Sequence, residues 1–253
     1  MKAPRLLIAD LDGTLLGDDR ALERFGRWFE TRQEQVRLVY NSGRFFEAVD
    51  GLIDSTPLPG PDAVIGGLGT EINFYPDGST VEGWPPCGDR FSADRVREVL
   101  AGYGRLRLQP APSQGKFKLS YDASDLEAPF LDELRSRLKG AGQDVEIFCG
   151  SGGELHFLPA GANKGLAADF LVTQWRLHPS QVVVAGDTGD DLSMFRCGFR
   201  GIVVANAHPE LRSLVHADVY HSPQPHADGV VDGMTYWTER LRGGAFPSRR
   251  RRR

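Results

Sequence analysis

The sequence predicts an α/β protein built on a doubly wound, mostly parallel sheet, with a smaller α/β domain inserted into it. Three observations carry this prediction. Short apolar runs rich in branched residues recur at 6–9, 36–40, 63–65 and 182–185, and each stops at polar turn residues, as strands buried on both faces do. Between them lie segments with apolar residues three or four apart, the spacing of helices with one buried face. From 81 to 159 the pattern changes to alternating strands and hairpin-type turns, which suits an open antiparallel sheet with helices on one face.

Taken in order, Leu6 to Ala9 forms a central strand and delivers Asp10 and Asp12 to its carboxyl end, with Gly13 allowing a sharp turn. Ligands bind beyond strand carboxyl ends in such sheets, although an ordinary Asp/Gly turn accounts for this segment equally well when it is taken alone. A helix over Arg20 to Arg32 turns Leu22, Phe25, Trp28 and Phe29 inward, and a second strand, Val36 to Tyr40, ends at Asn41-Ser42-Gly43-Arg44. Ser42 taken alone is a candidate cap for the helix that follows through Phe45, Phe46, Val49, Leu52 and Ile53. After Pro57 to Pro61, Ala63 to Ile65 is a third strand running into Gly66 to Glu71, and Pro76-Asp77-Gly78 is a hairpin turn.

Gly83 to Gly88 is a linker in which Trp84, beside Pro85-Pro86, suits packing at the hinge more than stacking on a sugar. The insert then holds a helix capped by Ser92, a strand at Leu106 and Leu108, an alternating strand from Lys116 to Tyr121, a helix from Asp125 to Lys139, and strands Val145 to Phe148 and Leu155 to Leu158. Gly150-Ser151-Gly152-Gly153 joins the last two. The core pattern resumes at Ala162-Asn163-Lys164-Gly165, which opens a helix with Leu166, Ala167, Phe170, Leu171 and Trp175 inward. Strand Val182 to Ala185 leads into Gly186-Asp187-Thr188-Gly189-Asp190-Asp191; a short helix, a strand Gly201 to Ala205 and Asn206-Ala207 follow. Val219-Tyr220 is an edge strand, and a closing helix from Gly229 to Leu241 buries Val230, Val231, Met234, Trp237 and Leu241. The expected domains are a core at 1–80 and 160–245, an insert at 81–159 and a solvated Arg-rich tail at 246–253.

Composition narrows the function classes. The 253 residues are 40% hydrophobic and 25% charged, with formal net charge −4, which becomes −9 once the five arginines 249–253 are set aside. Such a body has no global field for nucleic acid or anionic membrane. Cys87, Cys149 and Cys197 are few, odd in number and far apart, so neither a disulfide framework nor a metal-ligand spacing is present. No stretch reaches the roughly 18 apolar residues of a membrane span. A soluble, cytoplasmic monomer is the expectation.

Asp10/Asp12, Ser42, Lys164 and Asp187/Asp191 all fall at strand ends or helix starts. Hard carboxylate oxygens suit Mg²⁺, while a Lys, a hydroxyl and backbone N–H groups at a helix start suit a phosphoryl group. Together they describe metal-assisted phosphoryl transfer with an Asp nucleophile. Lys164 has the wrong charge for a helix N-terminus, a hint of function set against the commonness of surface lysines. The Asp187–Asp191 loop lacks the ligand positions and closing Glu of an EF-hand.

These segments resemble the four motifs of the haloacid dehalogenase superfamily of phosphohydrolases: Asp10-Leu11-Asp12-Gly13-Thr14, Asn41-Ser42-Gly43-Arg44, Lys164, and Gly186-Asp187-Thr188-Gly189-Asp190-Asp191. Each is weak alone, but their order and context are specific. The resemblance implies a Rossmann-like core and makes the insert a cap domain. Within the superfamily the chain is similar to sucrose-phosphate phosphatases and bacterial relatives such as mannosylfructose-phosphate phosphatase, through Gly69-Thr70-Glu71-Ile72, Lys116 to Tyr121, Ser151-Gly152-Gly153 to Leu158-Pro159, and Val204-Ala205-Asn206-Ala207. It implies Asp10 as nucleophile and Asp12 as acid and then base. It further implies Mg²⁺ held by Asp10, the Asp12 carbonyl and Asp187, with Asp191 behind them or reaching metal-bound water, and phosphate held by Ser42, Gly43 and Lys164.

The expected partner is a small-molecule sugar phosphate, contacted by Gly43, Arg44, Lys116, Lys118, Glu154, His156, Asp190 and Asn206. Glu154 and His156 stand where two aspartates are expected in sucrose-phosphate phosphatases, and Asp190 where Asn is usual. The cap residues serve equally well as an ordinary exposed strand face. Two other classes fit the same motifs: a sugar phosphomutase, and a non-catalytic module partnering a glycosyltransferase, although the latter's usual loss of Asp10 or Asp187 has not occurred.

Overall fold

The structure is a computed structural model that describes residues 3–86, 90–124, 126–150 and 152–242. Expectations placed on Cys87, Asp125, Ser151, the Leu241 side chain and the tail at 246–253 lie outside the described residues. Among the described residues the elements in order are β1 (Leu6–Ala9), α1 (Asp19–Glu30), β2 (Arg37–Asn41), α2 (Phe46–Ser55), β3 (Ala63–Gly66), β4 (Glu71–Phe74), α3 (Ala93–Leu100), β5 (Leu106–Leu108), β6 (Leu119–Ala123), α4 (Ala128–Gly140), β7 (Val145–Cys149), β8 (Glu154–Pro159), α5 (Lys164–Gln174), β9 (Val182–Gly186), α6 (Leu192–Phe195), β10 (Arg200–Val203), α7 (Pro209–Arg212), β11 (Val219–His221) and α8 (His226–Arg242).

The main sheet runs β11-β10-β9-β1-β2-β3-β4. β9 pairs in parallel with β1, Leu6 opposite Val182 through Ala9 opposite Ala185, and β10 pairs in parallel with β9 and β11. The chain winds outward from β1 in one direction and from β9 in the other, so the strand order reverses between β1 and β9. A crevice for ligand opens at the carboxyl ends of strands at such a switch point.

Among the described residues two compact units divide the chain, one of those within 1–39, 57–59 and 172–242, the other of those within 40–56 and 60–171. In the first, Leu6, Leu7, Ile8, Val182, Val183 and Val184 are fully buried; each such side chain contributes roughly 1.5–3 kcal/mol of burial free energy. Asp18 caps α1 by accepting the Ala21 N–H at 3.0 Å, and α1 turns Leu22, Phe25 and Phe29 inward while Trp28 stays half-buried. α1 packs on α8, and Arg24 grips Asp228 with Nε and Nη2 at 2.9 and 2.6 Å.

In the second unit, β3 and β4 pair antiparallel, and β5-β6-β8-β7 forms a four-stranded antiparallel sheet. Helices α3 and α4 cover one face of that sheet through Val96, Leu100, Leu134 and Leu138, which pack with Leu119, Tyr121, Leu155 and Phe157. Ser92 caps α3 as expected, accepting the Arg95 N–H.

Several local expectations change. The strand expected at Lys116 to Tyr121 lies at Leu119–Ala123, because the Gln114 side chain accepts the Ser120 N–H (2.9 Å) and donates to the Ser120 carbonyl (2.9 Å) and holds 115–118 in a tight loop. Leu166 is exposed, since α5 buries the face made by Ala167, Ala168, Leu171 and Val172. β4 was not anticipated; its Glu and Asn dilute the apolar signal of an edge strand. Trp84 does pack, with its Nε1 donating to the Gly69 carbonyl at 2.9 Å and its ring 5.2 Å from that of Phe170.

Candidate active site

β1 and β9 present their acids side by side. Asp10 extends the ladder one residue past β1, its N–H donating to the Ala185 carbonyl at 3.0 Å. Asp187 and Asp191 follow β9 directly. One carboxylate oxygen from each of Asp10, Asp187 and Asp191 lies within 4.8 Å of the others, and all three residues are buried. Like charges this close and this buried repel strongly, and a hard divalent cation is what such an oxygen set accommodates.

Asp187 and Asp191 are held by neighbours of the same unit. Thr14 Oγ1 donates to Asp187 Oδ1 at 2.7 Å; the residue closes the first motif, but nothing in the sequence assigns it this bond to a residue 173 positions away. Asp191 Oδ2 accepts the backbone N–H groups of Asp187 (2.9 Å) and Thr188 (3.2 Å), which partly compensate its buried charge. Gly13 lies against Asp187 at φ +86°, and a Cβ there would stand 2.2 Å from Asp187 Oδ2. Asp12 is exposed, and its carboxylate is not among the three that cluster. Asp190, half-buried, accepts from the Thr188 hydroxyl. Asn206 Nδ2 donates to the Gly13 carbonyl at 2.7 Å, which places it on the acidic loop.

In the second unit Ser42 is fully buried and does not cap α2. The cap position of that helix is Phe45, without a side-chain bond. Ser42 N–H donates to the Ile65 carbonyl at 2.9 Å, and its Oγ accepts the Arg44 N–H at 3.2 Å, so the hydroxyl shapes the loop; the Arg44 side chain is exposed. Glu71 Oε1 takes the first α2 N–H, from Phe46, at 2.7 Å, and burial pushes the Glu71 carboxyl up while this hydrogen bond partly offsets it. Glu71 stands in the Gly69-Thr70-Glu71-Ile72 segment, whose pattern does not mark this role.

Lys118 is buried, with Nζ donating to the Gly43 carbonyl at 2.8 Å and lying 5.1 Å from the Phe45 ring centre. Lys116 is exposed and lines a cavity of about 390 Å³ with Phe45, Glu71 and Gln114. Lys164, the first residue of α5, is 2% exposed, and Asn41 Nδ2 donates to its carbonyl at 2.9 Å. Asn163 caps α5 through the Leu166 N–H at 2.9 Å.

Glu154 and His156 share one face of β8, opposite Asp122 and Ser120 of β6. Ser120 Oγ donates to the Ser113 carbonyl at 3.0 Å, so across the 2.9 Å contact with His156 Nδ1 it accepts, and the ring carries its proton on Nδ1. Glu154 accepts the Gly152 N–H at 3.2 Å. Among the described residues no helix is long and apolar enough to cross a membrane.

The family model for sucrose-6F-phosphate phosphohydrolase matches residues 3–238. The mannosylfructose-phosphate phosphatase of Agrobacterium fabrum is 36% identical over 243 residues, covering 94% of this chain and 98% of that protein. Sucrose-phosphatase 1 of Nicotiana tabacum is 30% identical over 230 residues, and the match spans 87% of this chain but 54% of the tobacco protein. The solved structure of the Synechocystis sucrose-phosphatase, in complex with sucrose and phosphate, superposes with a TM-score of 0.84 at 29% identity, covering 93% of this chain and 98% of that one.

Proposed function

From its membership of the sucrose-6F-phosphate phosphohydrolase family, to which the chain belongs, we propose that this phosphatase of the haloacid dehalogenase superfamily is a Mg²⁺-dependent hydrolase of a phosphorylated disaccharide, sucrose 6-phosphate or mannosylfructose phosphate. The observation that carries this reading is the convergence of three buried carboxylates, Asp10, Asp187 and Asp191, at the switch point of the sheet. These residues and the Asp12 carbonyl would hold Mg²⁺, which when bound supplies charge compensation for the carboxylates and for the phosphate oxygens.

The protein's own groups then do the chemistry. An Asp10 carboxylate oxygen attacks phosphorus, and the bond from phosphorus to the sugar oxygen breaks while Asp12 gives that oxygen its proton. The product is an aspartyl-phosphate on Asp10 and a free sugar. Asp12, now a carboxylate, takes a proton from water; the water oxygen attacks phosphorus, the bond to Asp10 breaks and phosphate leaves. The exposure of Asp12 suits a group that exchanges protons with both sugar and water. Ser42, the Gly43 N–H and Lys164 are the proposed holders of the phosphate oxygens, so positioning and charge compensation supply most of the rate.

Residues 81–159 serve as the cap in this reading, with Lys116, Glu154 and His156, together with Arg44 and Asp190, offered to the sugar. Lys118 and Asn206 act instead on the loops at Gly43 and Gly13, consistent with their hydrogen bonds. The protein is proposed to work as a cytoplasmic monomer on a small molecule, without nucleic-acid or membrane partners. Phosphate release from a panel of phosphorylated disaccharides and hexoses, with Mg²⁺ and with a chelator, tests the assignment. A strong preference for a disaccharide phosphate, abolished by chelation, is expected; equal activity across hexose phosphates, or an isomerised sugar phosphate as product, would overturn it.

A further inference from the structure

The closing helix reaches the acidic loop through a histidine that the mechanism above does not use. His226, the first residue of α8, has φ +48°, a left-handed backbone adopted by few residues other than glycine. Its N–H donates to Asn206 Oδ1 at 2.9 Å, and its Nδ1 lies 3.1 Å from the Gly13 carbonyl oxygen, which also accepts from Asn206 Nδ2 at 2.7 Å. A carbonyl only accepts, so His226 carries its proton on Nδ1, and both lone pairs of the Gly13 oxygen are engaged.

The Cα of Gly13 lies against Asp187, whose Oδ2 would stand 2.2 Å from a Cβ at that position. Gly13 is thus a wedge, pinned at its carbonyl by two side chains and seated at its Cα against a carboxylate. Room for the imidazole comes from Gly17, at φ +125°, where a Cβ would stand 2.5 Å from His226 Cε1 and 2.7 Å from Nδ1. The start of α8 is itself fixed by the two-point grip of Arg24 on Asp228, two residues further on.

We infer that His226 and Asn206 are positioning residues, holding the Gly13 carbonyl so that the Asp187 carboxylate is presented to the cation. The inference rests on the metal reading of the acidic triad. Groups that orient a metal ligand change metal affinity by about 10–100-fold when removed, and a misplacement of about 1 Å at a reacting centre costs roughly 100-fold in rate.

The test uses the full chain stripped of metal. Mn²⁺ affinity is measured by electron paramagnetic resonance without substrate, alongside kcat, KM and melting temperature, for His226→Ala, His226→Asn, Gly17→Ala and Asn206→Ala. His226→Ala should weaken Mn²⁺ binding about tenfold or more and lower kcat, with KM little changed. His226→Asn keeps a side-chain N–H donor and tolerates the left-handed backbone, so it should recover both quantities. Gly17→Ala, which displaces the ring from the other side, should behave like His226→Ala, and Asn206→Ala combined with His226→Ala should fall short of the product of the single effects. Wild-type Mn²⁺ affinity in His226→Ala, or His226→Asn no better than His226→Ala, would overturn the inference alone. Wild-type protein that binds no Mn²⁺ would overturn the metal reading and this inference together.

Discussion

Replacing Gly13 by alanine should cripple turnover while leaving the protein folded. The new Cβ would lie 2.2 Å from Asp187 Oδ2 and 2.9 Å from its Cγ, where real Cβ atoms keep at least 3.0 Å. The carboxylate oxygen must therefore retreat by 0.8 Å (3.0 less 2.2), or the loop that bears Asp10 and Asp12 must move by as much. A left-handed alanine adds about 1–2 kcal/mol of backbone strain, equivalent to a fall in melting temperature of roughly 2–8 °C for a chain of this size. Because the displaced oxygen belongs to the acidic triad, the loss in kcat should be far larger than the stability cost implies, on the order of 100-fold. The assay is phosphate release at saturating sugar phosphate over a Mg²⁺ titration, with thermal unfolding in parallel. A Gly13→Ala protein with near wild-type kcat and an unchanged Mg²⁺ requirement would refute the claim that this glycine sets Asp187.

Three further outcomes are expected. Thr14→Val keeps the shape but deletes the 2.7 Å hydrogen bond to Asp187; hydrogen bonds to charged groups contribute about 1.5–3 kcal/mol, so calorimetry should show a lower melting temperature and weaker Mg²⁺ binding. Lys118→Met retains the buried stem but loses the bond to the Gly43 carbonyl, and inorganic phosphate should inhibit this variant about tenfold less strongly, a loss of about 1.4 kcal/mol; unchanged inhibition would separate Lys118 from the phosphate loop. Burial holds the Glu71 carboxyl above its ordinary value, so its favourable contribution is fully present below the unfolded pKa of about 4.3 and is lost as pH rises through the higher folded value. Glu71→Gln, which keeps an acceptor for the Phe46 N–H, should melt higher than wild type at alkaline pH, with the difference vanishing near pH ~4.3.

The acids were legible in the sequence because an apolar run that stops at a carboxylate has a physical reading: the strand is buried and its end faces the ligand crevice. Asp10, Asp187 and Asp191 meet accordingly. Lys118 was legible as a site residue but its contact was not, because its alternation with Lys116 mimics a strand, whereas the Gln114 side chain holds that segment as a loop and the ammonium reaches the Gly43 carbonyl. Thr14, Asn206 and His226 act on a carboxylate or a carbonyl supplied by a residue distant in sequence, and no spacing rule records such a bond. Leu166 looked like core since it is apolar and near the start of a helix, but the buried face is set by Ala167, Ala168, Leu171 and Val172, which leaves Leu166 on the opposite side of the axis, about 170° from the centre of that face.

The central claim, that Asp10 takes the phosphoryl group from a sugar phosphate, is most directly tested by acid-quenching the protein during turnover with Mg²⁺ and mapping its peptides. Phosphate should be found on Asp10 in the wild type. Asp10→Asn should unfold at a similar temperature, carry no phosphate there and release none. Phosphate on another residue, or near-normal turnover by Asp10→Asn, would contradict the account.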